Sequence, residues 1–469
     1  MYTAAVAPTT LLLASLALLP ATVVSACSNE VRGQALARRN AQRAAEQTGS
    51  LVKRATADSW EDWAKLLDPA EECTAYSYAP VTSAISDFPT IWDTASIVST
   101  DTDALTLFNQ INATLPTTIS PHGTLNGDFS SFTPSYVGTG DPACWWTFNG
   151  CTTPKYQYLV DRNVTDYITV PEPNTFGLGF DDGPNCTHNE FYNFLQDKNE
   201  TATMFYIGSN VLDWPLQAQR GYHDGHEICV HTWSHQYLTA MTNEQAFAEL
   251  YYTLKAIKLV IGVTPTCWRA PFGDVDDRIR TIAYGLGLQN IMWEEDTDDW
   301  KVGINNITLA DVQQNYQDVM DKAGNGTYDT KGVIVLTHEI NNTTMQIFME
   351  NYDKLKAAFK YITPVWTAYN KTQIYTESNA TDAVPFAQYV DAEGTSVSVT
   401  STSTSTSPAA AASGSSATST GSATAKASSS AAAASATTKA SAGDRTVGST
   451  FGWKALVALV GVSMVATRL

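Results

Sequence analysis

The sequence predicts a parallel α/β barrel of seven strand–helix units, and three observations lead there. From Asn174 onward, short apolar runs alternate with longer segments of 3.6-residue spacing. The order strand, then helix, recurs along the chain. Polar clusters follow five of the runs, and in such barrels chemistry sits at the C-terminal strand ends.

The first strand is predicted at Phe176–Phe180, and the next six at Ala202–Ile207, Glu227–Thr232, Thr266–Ala270, Gln289–Trp293, Gly332–Thr337 and Thr363–Thr367. Apolar runs of this length, bounded by turn residues, suit buried parallel strands. Between them, Phe191, Phe194 and Leu195 mark one helical face. Phe247, Leu250, Tyr251, Leu254, Ile257 and Ile261 mark a longer one, and Leu309, Val312, Tyr316, Val319 and Met320 a third. Side chains three and four positions apart form one stripe, which a barrel wall can cover. The catalytic domain is placed at 166–390. Residues 55–165 carry no motif and read as an N-terminal extension, either a wrap on the barrel or a small separate module.

The two ends have a different character. Thr9 to Val24 is an apolar run, followed by the small-x-small pattern Val24-Ser25-Ala26, so residues 1–26 read as a secretory signal. The dibasic pair Lys53-Arg54 closes a polar segment, which marks 27–54 as a propeptide; an exposed basic turn is the alternative. Residues 391–442 are dominated by Ser, Thr and Ala, a composition that cannot offset the entropy of ordering, so a disordered, glycosylated stalk is expected. Small residues at Ser441-Ala442-Gly443, a polar spacer and an apolar tail match a GPI-attachment signal over 443–469, with Ser441 as the attachment residue. The tail is too short to span about 30 Å of hydrocarbon comfortably. These signals predict a secreted monomer held at the outer face of the plasma membrane and the cell wall.

Composition agrees with that compartment. Ten N-x-Ser/Thr sequons begin at Asn112, Asn163, Asn185, Asn199, Asn306, Asn325, Asn341, Asn342, Asn370 and Asn379. Of seven cysteines, Cys27 goes with the leader or propeptide and six remain, an even number that favours disulfides; of the fifteen pairings, only Cys144 with Cys151 follows from proximity. Trp145 and Trp146 lie between these two, either stacking on sugar rings or packing in a closed loop. The net charge of −19 disfavours a nucleic-acid partner, since phosphate binding needs basic patches.

The five polar clusters carry the chemistry. Asp181-Asp182 follows the first strand, His231-Thr232-Trp233-Ser234-His235 the third, and Arg269 to Gly273 ends the fourth. Asp296-Thr297-Asp298-Asp299-Trp300 follows the fifth, and Leu336-Thr337-His338 ends the sixth. Two histidines four apart can share a metal ion, and no Glu lies between them to act as base. The adjacent aspartates can supply both a third ligand and a base, because consecutive side chains leaving a strand point apart. A divalent cation would also relieve their mutual repulsion. Residue types alone leave open which aspartate takes which role, and which of Asp296, Asp298 and Asp299 backs His338.

In this order, FDDG, HTWSH, RAPFG, DTDDW and LTH resemble the five motifs of the polysaccharide deacetylases, carbohydrate esterase family 4, over about Asn174 to Asn370. The anchor signal and stalk make the likeness strongest to chitin-active fungal members. The resemblance implies the family's distorted (β/α)7–8 barrel and removal of N-acetyl groups from cell-wall chitin or chitin oligosaccharides, giving chitosan and acetate. It implies one divalent ion, zinc or alternatively cobalt, held by Asp182, His231 and His235. Asp181 is then the base, Arg269 its orienting partner, His338 the acid and Asp296 the partner of that acid. Phe272 stands where the family often has Tyr, a departure of little weight if the backbone N–H is the oxyanion donor. Trp300 and Leu336 would line the acetyl pocket, and Trp233 a sugar subsite. Other acetylated polymers, xylan or peptidoglycan, and a non-catalytic chitin-binding role are the alternatives.

Overall fold

The computed structural model describes residues 59–377 and 384–394. The expected leader, propeptide, stalk and anchor signal with Ser441, and the sequon at Asn379, lie outside the described residues. Among the described residues, no helix is long and apolar enough to cross a membrane.

A curled, wholly parallel sheet forms the centre. Its strands are β1 (Thr175–Gly183), β2 (Thr203–Tyr206), β3 (Glu227–Val230), β4 (Cys267–Trp268), β5 (Gln289–Asn290), β6 (Glu295–Asp296), β7 (Val333–Leu336) and β8 (Tyr361–Pro364). They run in the order β5-β4-β3-β2-β1-β7-β6, with β8 pairing the N-terminal half of β1. All nine residues of β1 are buried, as expected of a strand paired on both edges.

The expected strand 289–293 is divided. β5 pairs with β4, whereas β6, after four intervening residues, pairs with β7. One short strand cannot reach both edges of the gap, so the chain itself joins the two ends of the curled sheet. The last expected strand is shifted. β8 stops at Pro364, and Val365–Ala368 forms a helical turn. Buried Glu227 accepts from the Trp366 and Thr367 N–H groups at 2.9 and 2.8 Å, satisfying first-turn donors that no preceding helical carbonyl can reach.

The helices cover this sheet. The longest, Asn243–Ile261, begins with a capping box between Thr242 and Gln245 and ends at Gly262, whose φ of 93° suits glycine. It buries Phe247, Leu250, Leu254 and Ile257, each contributing about 1.5–3 kcal/mol from apolar area removed from water. Residues 59–165 form a wrap and no separate module. Val81, Phe88, Ala95, Ala104, Ile111 and Leu115 join the same buried cluster as the sheet. The disulfide Cys73–Cys186 ties the wrap to the loop after β1, and Cys144–Cys151 and Cys229–Cys267 are the other two bridges.

Candidate metal centre and active site

The C-terminal ends of β1, β3, β4 and β7 bring the expected groups together. Asp182 leaves β1 with a φ of 75°, an unfavourable conformation for a residue with a β-carbon. The next residue is Gly183, where a Cβ would lie 1.5 Å from Glu339 Oε1, so only glycine fits. This sharp exit separates the two adjacent carboxylates.

One carboxylate faces two imidazoles. Ligand atoms of Asp182, His231 and His235 all lie within 4.8 Å of one another, and all three residues are buried. Asp182 Oδ1 is 3.2 Å from His231 Nε2 and 2.9 Å from His235 Nε2. The Nδ1 atom of His231 lies 2.9 Å from the Arg269 carbonyl. That carbonyl can only accept, so Nδ1 carries a proton and Nε2 is the ring atom turned towards Asp182. Both Asp182 oxygens are buried without a hydrogen-bond partner. Buried carboxylate oxygens are rarely left so, and two imidazoles with one carboxylate are a common catalytic zinc donor set. The residues present fit a divalent ion.

The other carboxylate belongs to the base position. Arg269 Nη1 donates to Asp181 Oδ1 at 2.6 Å, while its Nε donates to the Ile291 carbonyl at 3.1 Å. The guanidinium is fully buried and stacks 4.0 Å from the Phe205 ring centroid, so Asp181 is fixed by a rigid cation. Asp181 Oδ2 remains 3.7 Å from His231 Nε2, beside the metal ligands.

The proton donor lies across the site. β1 and the end of β7 are bridged at Asp181 and His338. His338 Nδ1 lies 2.6 Å from Asp299 Oδ1, and its backbone N–H donates to Asp299 Oδ2 at 2.9 Å. Asp299, and not the expected Asp296, is therefore the partner of His338. The left-handed turn at Asp298, φ 56°, brings Asp299 onto His338, whereas Asp296 accepts from the Asp298 N–H at 2.8 Å. Burial disfavours the charged imidazole, but Asp299, with Asp182 and Asp181 further off, raises its pKa to about 9.

Around this centre lies a small apolar cluster separate from the main core. It contains Trp92, Ile207 and Ile340, with half-buried Ile91, Phe272 and Trp300 against them. The Phe272 ring stacks 4.3 Å from Tyr237 and meets the His235 ring edge-on at 4.6 Å. Leu336 is buried at the end of β7, opposite Asp296 of β6.

Two expectations are overturned. Trp233 is fully buried, with its Nε1 donating to the Thr90 carbonyl at 3.1 Å and its ring stacked on Phe88, so it packs and does not line a sugar subsite. Asn185 is also buried, and its Nδ2, the atom a glycan would need, donates to the Ile340 carbonyl. Asn112, Asn163, Asn199, Asn306, Asn325, Asn342 and Asn370 are exposed, and Asn341 is half-buried as a helix cap. Trp145 is core, held by Asp274 at 2.9 Å, whereas Trp146 is half-buried 5.6 Å from Trp293.

Sequence reasoning missed two buried carboxylates beside the site. Glu339 follows His338, and burial pushes its pKa well above the usual range; Tyr192 donates to it at 3.3 Å. Glu249, on the helix Asn243–Ile261, accepts from the N–H groups of Trp233 and Ser234. Glu249 interrupts an otherwise apolar helical stripe, and that was its only signal.

Residues 169–291 match the family model described as polysaccharide deacetylase. The chain is 58% identical over 334 residues to a protein named chitin deacetylase 2 from Cryptococcus neoformans var. grubii, covering 71% of this chain and 72% of that one. It is 45% identical over 315 residues to a chitin deacetylase of Amylomyces rouxii, covering 66% and 73%. A solved chitin deacetylase from Colletotrichum lindemuthianum aligns with a TM-score of 0.41 at 22% identity, over 45% of this chain and 95% of that one. The chain belongs to the polysaccharide deacetylase family.

Proposed function

We propose that this protein hydrolyses the N-acetyl groups of N-acetylglucosamine units in cell-wall chitin, giving chitosan and acetate. The observation that carries the reading is one site holding three distinct devices. These are the ligand set Asp182, His231 and His235, the Asp181–Arg269 pair, and the Asp299–His338 pair. Relatives named chitin deacetylases at 58% and 45% identity support the choice of polymer.

Asp182, His231 and His235 would hold the divalent cation, which would supply Lewis acidity for the acetamide carbonyl and for activation of water. Asp181 takes the proton of the attacking water as the new C–O bond forms, and Arg269 keeps its carboxylate in place. The Phe272 backbone N–H is the proposed donor to the developing oxyanion. As the C–N bond breaks, His338 gives its proton to the departing amine nitrogen, and Asp299 stabilises the charged imidazole beforehand. Trp300 and Leu336 are assigned to the acetyl methyl group. Zinc is the proposed ion and cobalt the alternative. A GPI anchor, glycans at the exposed sequons, a monomeric state and retention at the wall complete the reading.

Acetate release from chitin oligomers, acetylated xylan and peptidoglycan, each offered to the zinc-loaded protein, tests the assignment. Release from chitin should exceed the other two by at least ten-fold. Equal or greater release from either of the others would overturn the choice of chitin.

A further inference from the structure

The two metal-binding histidines sit on a loop that cannot hold its own shape. Only Thr232, Trp233 and Ser234 separate them, and both Thr232 (φ 65°) and His235 (φ 51°) adopt left-handed backbone. Residues with a β-carbon, and β-branched threonine above all, stay there only where their surroundings enforce it. The enforcing contacts come from outside the five motifs.

Glu249 is the hub. Its Oε2 accepts the N–H groups of Trp233 at 2.9 Å and Ser234 at 2.8 Å. Its Oε1 accepts the Ser234 hydroxyl at 2.6 Å and the N–H of Ala95, from the N-terminal wrap, at 2.9 Å. The carboxylate is fully buried. Neighbours of Ala95 then bind the same loop directly. Phe88 stacks on Trp233, the Thr90 carbonyl accepts from Trp233 Nε1, and the Thr94 hydroxyl donates to Gln236 at 2.6 Å. The Trp92 N–H donates to Ser209 Oγ at 2.8 Å, and that hydroxyl donates to the Trp233 carbonyl at 2.6 Å. Within eight residues of the wrap, five thus reach the histidine loop, directly or through one intervening side chain.

We infer that residues 88–95 of the N-terminal wrap, acting with Glu249, are a positioning element that sets the geometry of the His231–His235 loop and hence its affinity for a divalent cation. The inference rests on the metal-site reading above. Charge explains why the hub is a carboxylate. Each oxygen faces at least one backbone N–H, so a glutamine NH2 group would meet a donor whichever way it lay. Partners of this kind, one step removed from the metal, alter affinity by about 10- to 100-fold when lost.

The test titrates zinc alone into the metal-free full-length protein against a competing chelator, with the visible spectrum of the cobalt-loaded form as a second readout. Glu249→Gln and Thr94→Val are compared with wild type. Glu227→Gln is the control, because Glu227 is an equally buried acceptor of several donors near the helical turn after β8. Glu249→Gln should weaken zinc binding by about ten-fold or more, with Thr94→Val weaker by a smaller factor and both cobalt spectra altered. Glu227→Gln should lower the thermal midpoint and leave zinc affinity and the cobalt spectrum unchanged. Zinc bound at wild-type strength by folded Glu249→Gln and Thr94→Val overturns the proposal, as does an equal loss in Glu227→Gln. His231→Ala separates the two readings: if it too binds zinc like wild type, the metal site itself has been misassigned.

Discussion

At the scale of single residues, the division of labour depends on which polar atom each side chain has already committed. Arg269 occupies Asp181 Oδ1 and leaves Oδ2 near the ligands; Asp299 occupies His338 Nδ1 and leaves Nε2 for the proton transfer. The Asp299 carboxylate raises the His338 pKa against the effect of burial. In Asp299→Asn the imidazole should lose its proton at lower pH, so the alkaline limb of kcat should move down by about one unit or more. The rate should also fall by about 10²- to 10⁴-fold. Asp296→Asn should leave that limb within a few tenths of a unit, and a pH–rate profile of both variants checks the pair. The histidine pair was legible as a candidate ligand pair by its i, i+4 spacing, but the choice of Asp182 over Asp181 as third ligand came only from the resemblance to the deacetylase motifs. Asp299 was not legible, because three carboxylates within four residues differ only through the left-handed turn at Asp298, and Asp tolerates that conformation without a sequence mark.

At the scale of elements, periodicity located the strands of the sheet and the faces of the long helices, since burial on one or both sides leaves a repeat in the chain. It failed where a partner distant in sequence decides the outcome. The run at 289–293 splits because it must join two edges, and the turn at Val365–Ala368 forms because Glu227 supplies acceptors from β3. The wrap was illegible for a related reason: its short helices and coil are fixed by contacts with the barrel and by Cys73–Cys186, not by a repeat of their own. That bridge closes 113 residues and Cys144–Cys151 only 7. If bridges act mainly on the unfolded chain, replacing both Cys73 and Cys186 with Ala should cost about 2–5 kcal/mol in urea unfolding. Removing Cys144 and Cys151 together should cost roughly 2 kcal/mol less. Equal losses would show that local strain, not chain constraint, dominates.

For the whole molecule, stability should depend on pH through buried side chains outside the three devices. His226 is buried with Nδ1 accepting from the Ala202 N–H at 3.1 Å, and burial lowers its pKa to about 3. The unfolded chain binds a proton there below about 6.5 and the folded chain does not, so this contribution is complete above that pH and shrinks as pH falls towards 3. Glu72, raised to about 7 by burial, acts oppositely, adding stability at low pH that is lost as pH rises. A variant isolates the first effect. The stability of wild type relative to His226→Gln should fall by about 2 kcal/mol between pH 7 and pH 5, read from urea unfolding at both. A pH-independent difference would mean that His226 is already charged in the fold.

The central claim is that one site unites three metal-ligating groups with a carboxylate base to remove acetyl groups. Acetate release from size-defined chitin oligomers, before chelation, after it and after zinc is returned, tests it most directly, with Asp181→Asn alongside. Release should vanish on chelation and return with zinc, while zinc-loaded Asp181→Asn should bind the metal and lose at least a hundred-fold in rate. Undiminished release from thoroughly chelated protein, or wild-type rates in Asp181→Asn, would contradict the account.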